Sequence, residues 1–565
     1  MIPWDENPRW LNAPMKRFIS CVLVGIALVG SIAAQSTNTV LRDTNPNVAG
    51  QAPALPCLEW QWRPGLDRSL FPALLVYLHN PSDSPIEWGK VFLNEKEAGL
   101  RTNGVAYLQY YPAAVAQPHE TVELQLGFSE IPTTSQTLVI KTKDGRQLTA
   151  VVGPYFVPTS RITGVAFAVD YRQLFLTFVA PTAEPVPLFV AVNGTDCTTA
   201  MRIWESSTTK RPGLISVALP QPTAQGRPVY IRLQFMSQPA HAIVRAYRGI
   251  SLDCYDIGTL PTNQALRAEL GLDSAPAFTL LHCDPTCNDV SKDGFPGKSM
   301  PQILAERQAL YAATPDRLSA LYLCTTAANG SYSMYSYCTD LTFCSPYSLN
   351  WMQTNRFIDE EEYHLRWTAD AAAPHPWGWI PEAFCNAFSK RSLEPPELRL
   401  EVLAALGFGV KGIDYHLYHH PDLTGFEQMP SLLAEIKQVN ADLRKLMPFF
   451  AAALPLSTVT VGGRTNGVCV STLWSGDIES LVIVVRNRDY TTDHHPNELG
   501  RQPRFQSHPK ETLHVVVPCP SWLTTPVAMD ALTKQPVLCQ IIWDTIQMEL
   551  GPLELGKVIV IQNAK

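Results

Sequence analysis

The chain has 565 residues, a formal net charge of −7 and a pI of about 6.0. That length exceeds one ordinary core and predicts roughly two to four domains, and the scattered lysines and arginines leave no basic field for nucleic acid. The 47 prolines against 32 glycines suit many short strands joined by proline turns rather than disorder.

Met15-Lys-Arg, the apolar run Phe18–Val29 and Ser31-Ile-Ala-Ala-Gln follow the basic, apolar, small-residue order of a secretory signal. The run is short for a membrane span. Residues 1–34 are therefore expected to be a signal peptide with an N-terminal extension, and the mature chain to be secreted, periplasmic or at the cell surface, with no membrane contact. Cleavage removes Cys21 from the 13 cysteines, and the even remainder in an exported chain predicts at least one disulfide. Cys283–Cys287 and Cys338–Cys344 are the local candidates.

Residues 50–158 and 159–250 read as two β-sandwiches: strands such as ALLVYLHNP, VELQLGF, LFLTFVAP and VYIRLQF alternate with Asn-Pro and Asp-Gly turns. Over 251–453 strands alternate with helices, which predicts a (β/α) barrel that falls short of eight units. ISLDCYDIG, FTLLHCDP and LSALYLCTT are strands, and Met300–Ala313 and Phe357–Ala371 are helices. Trp377-Gly-Trp-Ile is a strand ending at Pro381-Glu382. Glu394-Pro-Pro-Glu opens a helix that Gly407 and Gly409 close, and a strand to Tyr418 follows. Residues 454–565 return to strands and read as a C-terminal β-sandwich. The fold class expected is thus multidomain, α/β and all-β, with the barrel flanked by β-domains on both sides.

Sites in parallel α/β folds form at the carboxyl ends of strands, and the acids there are Asp284, Asp340, Glu382 and Asp414. Asp284 and Glu382 are the first pair expected, each just past a short apolar strand and beside a proline. Paired carboxylates suit glycosidic-bond hydrolysis, one protonating the leaving oxygen and the other serving as nucleophile or base. Trp377, Trp379, Tyr347 and Trp351 offer flat faces for pyranose rings, and His416 a hydrogen bond to hydroxyls. No zinc-type cysteine or histidine array is present, and no phosphate loop, dinucleotide fingerprint or GxSxG elbow. No metal or cofactor is expected, and the oligomeric state stays open.

LYLCTTA, YCTDLTFCSPYSLN, WGWIPEAF and PPELRLEVLAALGFGVKGIDYHLY together resemble secreted bacterial glycoside-hydrolase-like TIM-barrel proteins. Gly409-Val-Lys-Gly-Ile-Asp-Tyr matches that family's strand well, and Asp340 matches its first acid. Ser345-Pro-Tyr-Ser stands where Asp-Pro-Tyr-Pro is usual, and Glu382 where glutamine is common. The resemblance implies a barrel acting on polysaccharide or oligosaccharide, and the departures imply an alternative: a non-catalytic carbohydrate-binding or cell-surface structural protein on a decayed barrel.

Overall fold

The computed structural model describes residues 57–63, 72–99, 102, 104–283, 299–324, 335–336, 338–346, 357–385, 392–421, 423–461, 467–492 and 505–564. Asp284, Tyr347, Trp351, Cys287 and the expected signal segment lie outside them.

The first β-sandwich stacks a sheet of Cys57–Arg63, Ala73–His79, Thr121–Phe128 and Val105–Tyr111 on a second sheet built around Ile86–Leu93, Gln136–Thr142 and Gln147–Val152. Ala73–His79 shows no polar alternation because both its faces are covered. Leu74, Val76 and Leu78 fill the sandwich core, while Ala73, Leu75 and Tyr77 pack on the parallel sheet that follows. A second sandwich, from Arg161 to Arg245, has its own core of Phe178, Ile215, Ile231 and Val244.

Six parallel strands come next: β1 (Ser251–Cys254), β2 (Phe278–Cys283), β3 (Leu318–Cys324), β4 (Leu341–Ser345), β5 (Trp377–Trp379) and β6 (Gly412–Tyr415). Their helices are α1 (Gln264–Glu269), α2 (Met300–Ala313), α3 (Phe357–Ala372), α4 (Pro395–Gly407) and α5 (Pro430–Phe450). The hydrogen-bonded order β1-β6-β5-β4-β3-β2 is the cyclic order of a barrel, opened once, between β1 and β2. The parallel sheet is thus a partial barrel, and the expectation of fewer than eight units agrees with it.

One aromatic ring fills the inside. Tyr322, Phe343, Gly378, Gly412 and Ser251 form a single row across five strands. The Phe343 ring lies over both glycines and meets Phe278 and Tyr322 at centroid distances of 4.9 and 5.2 Å. A Cβ on Gly378 would sit 2.3 Å from that ring and one on Gly412 2.6 Å from it. Two short strands therefore carry glycine where branched residues would be usual.

Outside the barrel, α4 is buried from Glu397 to Gly407 except at Arg399. It lies between the barrel strands and the C-terminal sheet, whose Leu473, Val482 and Val558 share its core. That is why PPELRLEVLAALG reads apolar all round. The helix starts on Pro395 and Pro396, its Glu394 N–H donating to Glu397 Oε2 at 2.8 Å. It stops at Gly409, whose φ of +79° suits glycine. Helix α5 is one-sided instead, burying Leu432, Ile436, Val439, Leu443 and Leu446. The C-terminal domain packs a six-stranded sheet (Ala453–Val461 to Gly556–Asn563 and Pro526–Asp530) against the strands Leu513–Pro518, Thr545–Leu550 and Cys539–Ile542. No described helix is long and apolar enough to cross a membrane.

The Cys338–Cys344 pairing is corrected: the two are buried and not bonded to each other, Cys197, Cys254 and Cys469 are likewise buried, and Cys385, Cys519 and Cys539 are half-buried. Cys338 Sγ hydrogen-bonds Gln109 Oε1 at 3.1 Å instead, behaving as a small core residue.

The Phe343 row makes a direct test. Gly378→Ala should lower unfolding stability by about 1–3 kcal/mol through overpacking, read as a reduced denaturation midpoint. Adding Phe343→Leu should recover part of that loss, because the two positions share one space.

Candidate functional site at the carboxyl end of the barrel

Strand alternation sorts the predicted residues into two faces. Ile413 and Tyr415 of β6 and Leu252 and Cys254 of β1 belong to the outer core with the helices. Gly412, Asp414 and His416 therefore face inward, as do Ser251, Asp253 and Tyr255. Asp253 and Asp414 are paired in register, which sets their Cα atoms about 5 Å apart. They form the layer directly above the Phe343 row. Ser345, two residues past Phe343 on β4, is on the same inward phase.

Asp414 is 1% exposed, and its Oδ1 finds no hydrogen-bond partner among the described residues. Burial, then the charge of Asp253, pushes its carboxyl well above the usual range. Asp253 has a cation beside it: Arg267 Nη2 of α1 stands 2.6 Å from its Oδ1. Burial also raises the Asp253 carboxyl, with Arg267 opposing that rise.

One layer higher, the His416 ring packs against Tyr255 and Phe384 at 5.4 and 5.1 Å, and Glu382 bridges to His416 through the backbone. Burial lowers the His416 imidazole to about 4, so it is neutral. Glu382 is buried at the rim.

Two expectations are corrected by geometry. Asp340 precedes β4 and so lies at the amino end of the barrel, opposite the mouth. Its carboxylate accepts from Tyr111 and Tyr311 hydroxyls (2.8 Å each) and from the Ser319 N–H (2.7 Å), and pairs with Arg245 at 3.2 Å. Every one of these partners is structural. Trp377 and Trp379 face outward into the helices, not into the barrel mouth, since odd positions of this strand lie on the outer face. Trp377 Nε1 donates to Phe408 O at 3.2 Å and Trp379 Nε1 to Glu361 Oε1 at 2.6 Å, so neither offers a face to sugar.

Outside the strand, Glu361 of α3 and Glu401 of α4 meet in a dry contact with Trp379. Burial raises Glu361 to about 7, and burial together with Glu361 itself raises Glu401 well above its ordinary value. Two adjoining carboxyls without a cation cannot both ionise.

Sequence reasoning missed Asp253 and Arg267. Asp253 carried the same signature as the chosen acids, a carboxylate closing the short apolar strand ISLDC. Arg267 carried none, because a single arginine in a short helix reads as surface.

No family model and no curated relative matches the chain. Among solved structures it is similar to an α-amylase from Anoxybacillus (TM-score 0.30, 11% identity, covering 47% of this chain and 57% of that one). It is also similar to the Geobacillus thermoleovorans α-amylase complexed with acarbose (TM-score 0.32, 13%, covering 48% and 59%). An FMN-binding β-glucuronidase from Facaelibacterium prausnitzii aligns over 90% of this chain and 91% of its own, at TM-score 0.23 and 8% identity. The match thus spans little more than half the length of the two amylases. Likenesses this distant carry no argument about what this chain does.

Two stability predictions come from the buried acids. Asp340→Asn should cost about 3–5 kcal/mol, because it strands the buried Arg245 charge, and denaturant titration measures it. For Glu361 and Glu401 the folded pKa lies above the unfolded one, so stability is present at low pH and lost as pH rises, for Glu361 from 4.5 through about 7 and for Glu401 in the same direction. Glu401→Gln should remove much of that fall and raise stability by about 1–3 kcal/mol above pH 7, seen as a flatter profile of melting temperature against pH.

Proposed function

We propose that the chain is an exported, carbohydrate-acting protein of the glycoside-hydrolase type, working at the carboxyl end of its partial barrel. The observation that carries this is the inward, in-register pair Asp253 and Asp414, with an Asp414 oxygen that has no hydrogen-bond partner among the described residues. Support also comes from the resemblance of the Gly409–Tyr418 strand to glycoside-hydrolase-like barrels and from the signal-like order at Met15–Gln35.

Asp414 is the proton donor in this reading. Its proton passes to the glycosidic oxygen as the bond to the anomeric carbon breaks, the electron pair leaving with that oxygen. The Asp253 carboxylate faces the positive charge that develops on the carbon. Water then adds there and returns a proton to Asp414. Glu382 and the neutral His416 line the rim, where they hydrogen-bond sugar hydroxyls, and Asp284, which follows Cys283 in the sequence, is a further candidate acid.

A second reading is favoured by one observation, the 1% exposure of Asp414. A carboxyl so covered also suits a barrel that binds oligosaccharide without cutting it.

The test is a panel of polysaccharides and aryl glycosides offered to the purified mature chain, followed by release of reducing ends. Hydrolysis is expected, and Asp414→Asn should reduce it by about 10²–10⁴-fold with an unchanged melting temperature. Binding without turnover would select the second reading. Neither binding nor turnover on any substrate would sink both.

A further inference from the structure

The opening between β1 and β2 is not empty. Asp273 occupies the free edge of β1, accepting from the Leu252 N–H at 2.9 Å and the Ser251 hydroxyl at 3.1 Å and donating its own N–H to Leu252 O at 2.8 Å. Arg267 packs beside it, with no exposed surface, and each of its three nitrogens has a partner. Nε donates to Asp273 O at 2.8 Å, Nη1 to Ile257 O at 2.6 Å and Nη2 to Asp253 Oδ1 at 2.6 Å. One side chain thus ties the β1 edge, the turn after it and an inward carboxylate.

We propose that Arg267 is a positioning residue that closes the barrel seam and, by fixing the negative charge on Asp253, leaves the proton of the acid pair on Asp414. The proposal rests on the acid-pair reading of the site. A guanidinium cannot give up its proton, so a buried one requires a neighbouring anion. Asp253 is the carboxylate it touches through a side-chain atom. Asp273 is committed to the β1 backbone and to Arg444 at 2.7 Å. With Asp253 held anionic, an ionised Asp414 alongside it would place two like charges in a dry layer.

The remaining groups around Asp414 push the same way. Asp256, past the end of β1, adds negative charge, and it is spent on the Tyr418 and His419 N–H groups and on the Cys254 thiol. His416, just past the end of β6, is neutral. From β4, the buried Ser345 hydroxyl has no hydrogen-bond partner among the described residues. Arg317, at the foot of β3, acts on Asp253 rather than on Asp414. Nothing on these elements supplies Asp414 with a cation of its own. Arg267 is the cation in direct contact with the pair, and the Cys254 N–H, donating to Asp253 Oδ1 at 2.9 Å, favours the same asymmetry.

Infrared difference spectroscopy of the full chain reads this without substrate. At neutral pH the protonated-carboxyl stretch should lose one component in Asp414→Asn. In Asp253→Asn the like charge is gone, so the Asp414 band should titrate at least one pH unit lower than in the wild type. In Arg267→Met combined with Asp414→Asn a protonated-carboxyl component should reappear, now on Asp253, whereas Arg267→Lys with Asp414→Asn should stay without it. If the methionine variant does not fold, the Asp253→Asn titration decides alone. No Asp414 component at neutral pH, or an unmoved midpoint in Asp253→Asn, would overturn the proposal. Chains that show the expected bands but hydrolyse nothing in the panel would leave the proton assignment standing and remove the hydrolase reading.

Discussion

The architecture hangs on one buried carboxylate. Asp340 receives hydrogen bonds from Tyr111 of the first sandwich, Arg245 of the second, Tyr311 of α2 and Ser319 of β3. Four elements from three modules converge on two oxygens at the amino end of the barrel. Arg245 is itself further tied to the carbonyls of Gly226, Pro315 and Arg317. A charged pair taken out of water stabilises only if its remaining bonds are filled, and here they are filled by groups that must each be in place. The sandwiches are thereby fixed against the barrel, and the strand faces that would otherwise need helices are covered by Leu75, Tyr77 and Tyr107 instead.

That arrangement explains which parts of the fold could be read in the sequence. The α4 segment announced itself through Glu394-Pro-Pro and the glycines behind it, since caps act locally. The β-rich flanks and the change to strand–helix alternation near Ser251 were legible for the same reason. The direction of side chains was not. Trp377 and Trp379 look alike whether they face a cleft or a helix layer, and only the Phe343 ring over Gly378 fixes which phase points inward. Asp340 misled because an acid next to a strand carries no sign of which end it occupies. The pair Asp253 and Asp414 required the cyclic strand order, which brings the first and last parallel strands together across 161 positions of chain.

Closure by β1 against β6 has a consequence at the opposite edge. A barrel of six short strands, with Phe343 filling its waist, leaves β1 and β2 unpaired, and the β1 backbone groups there must be satisfied by something else. Asp273 and Arg267 do this from the short α1 segment. The seam is therefore polar and charged where the rest of the barrel wall is apolar. Its charge lies against the inward acid layer.

The two buried acid pairs then differ in kind. Glu361 and Glu401 sit outside the strands with an indole N–H as their donor and no guanidinium among the described residues, so their burial is a standing cost that grows as the pH rises. Asp253 and Asp414 sit inside, and Arg267 pairs directly with Asp253. A symmetric, cation-free pair shares its proton and offers no distinct acid and base. An asymmetric pair keeps one carboxyl ionised and the other protonated at the same pH, which is the division of labour that acid–base chemistry on a glycosidic bond requires.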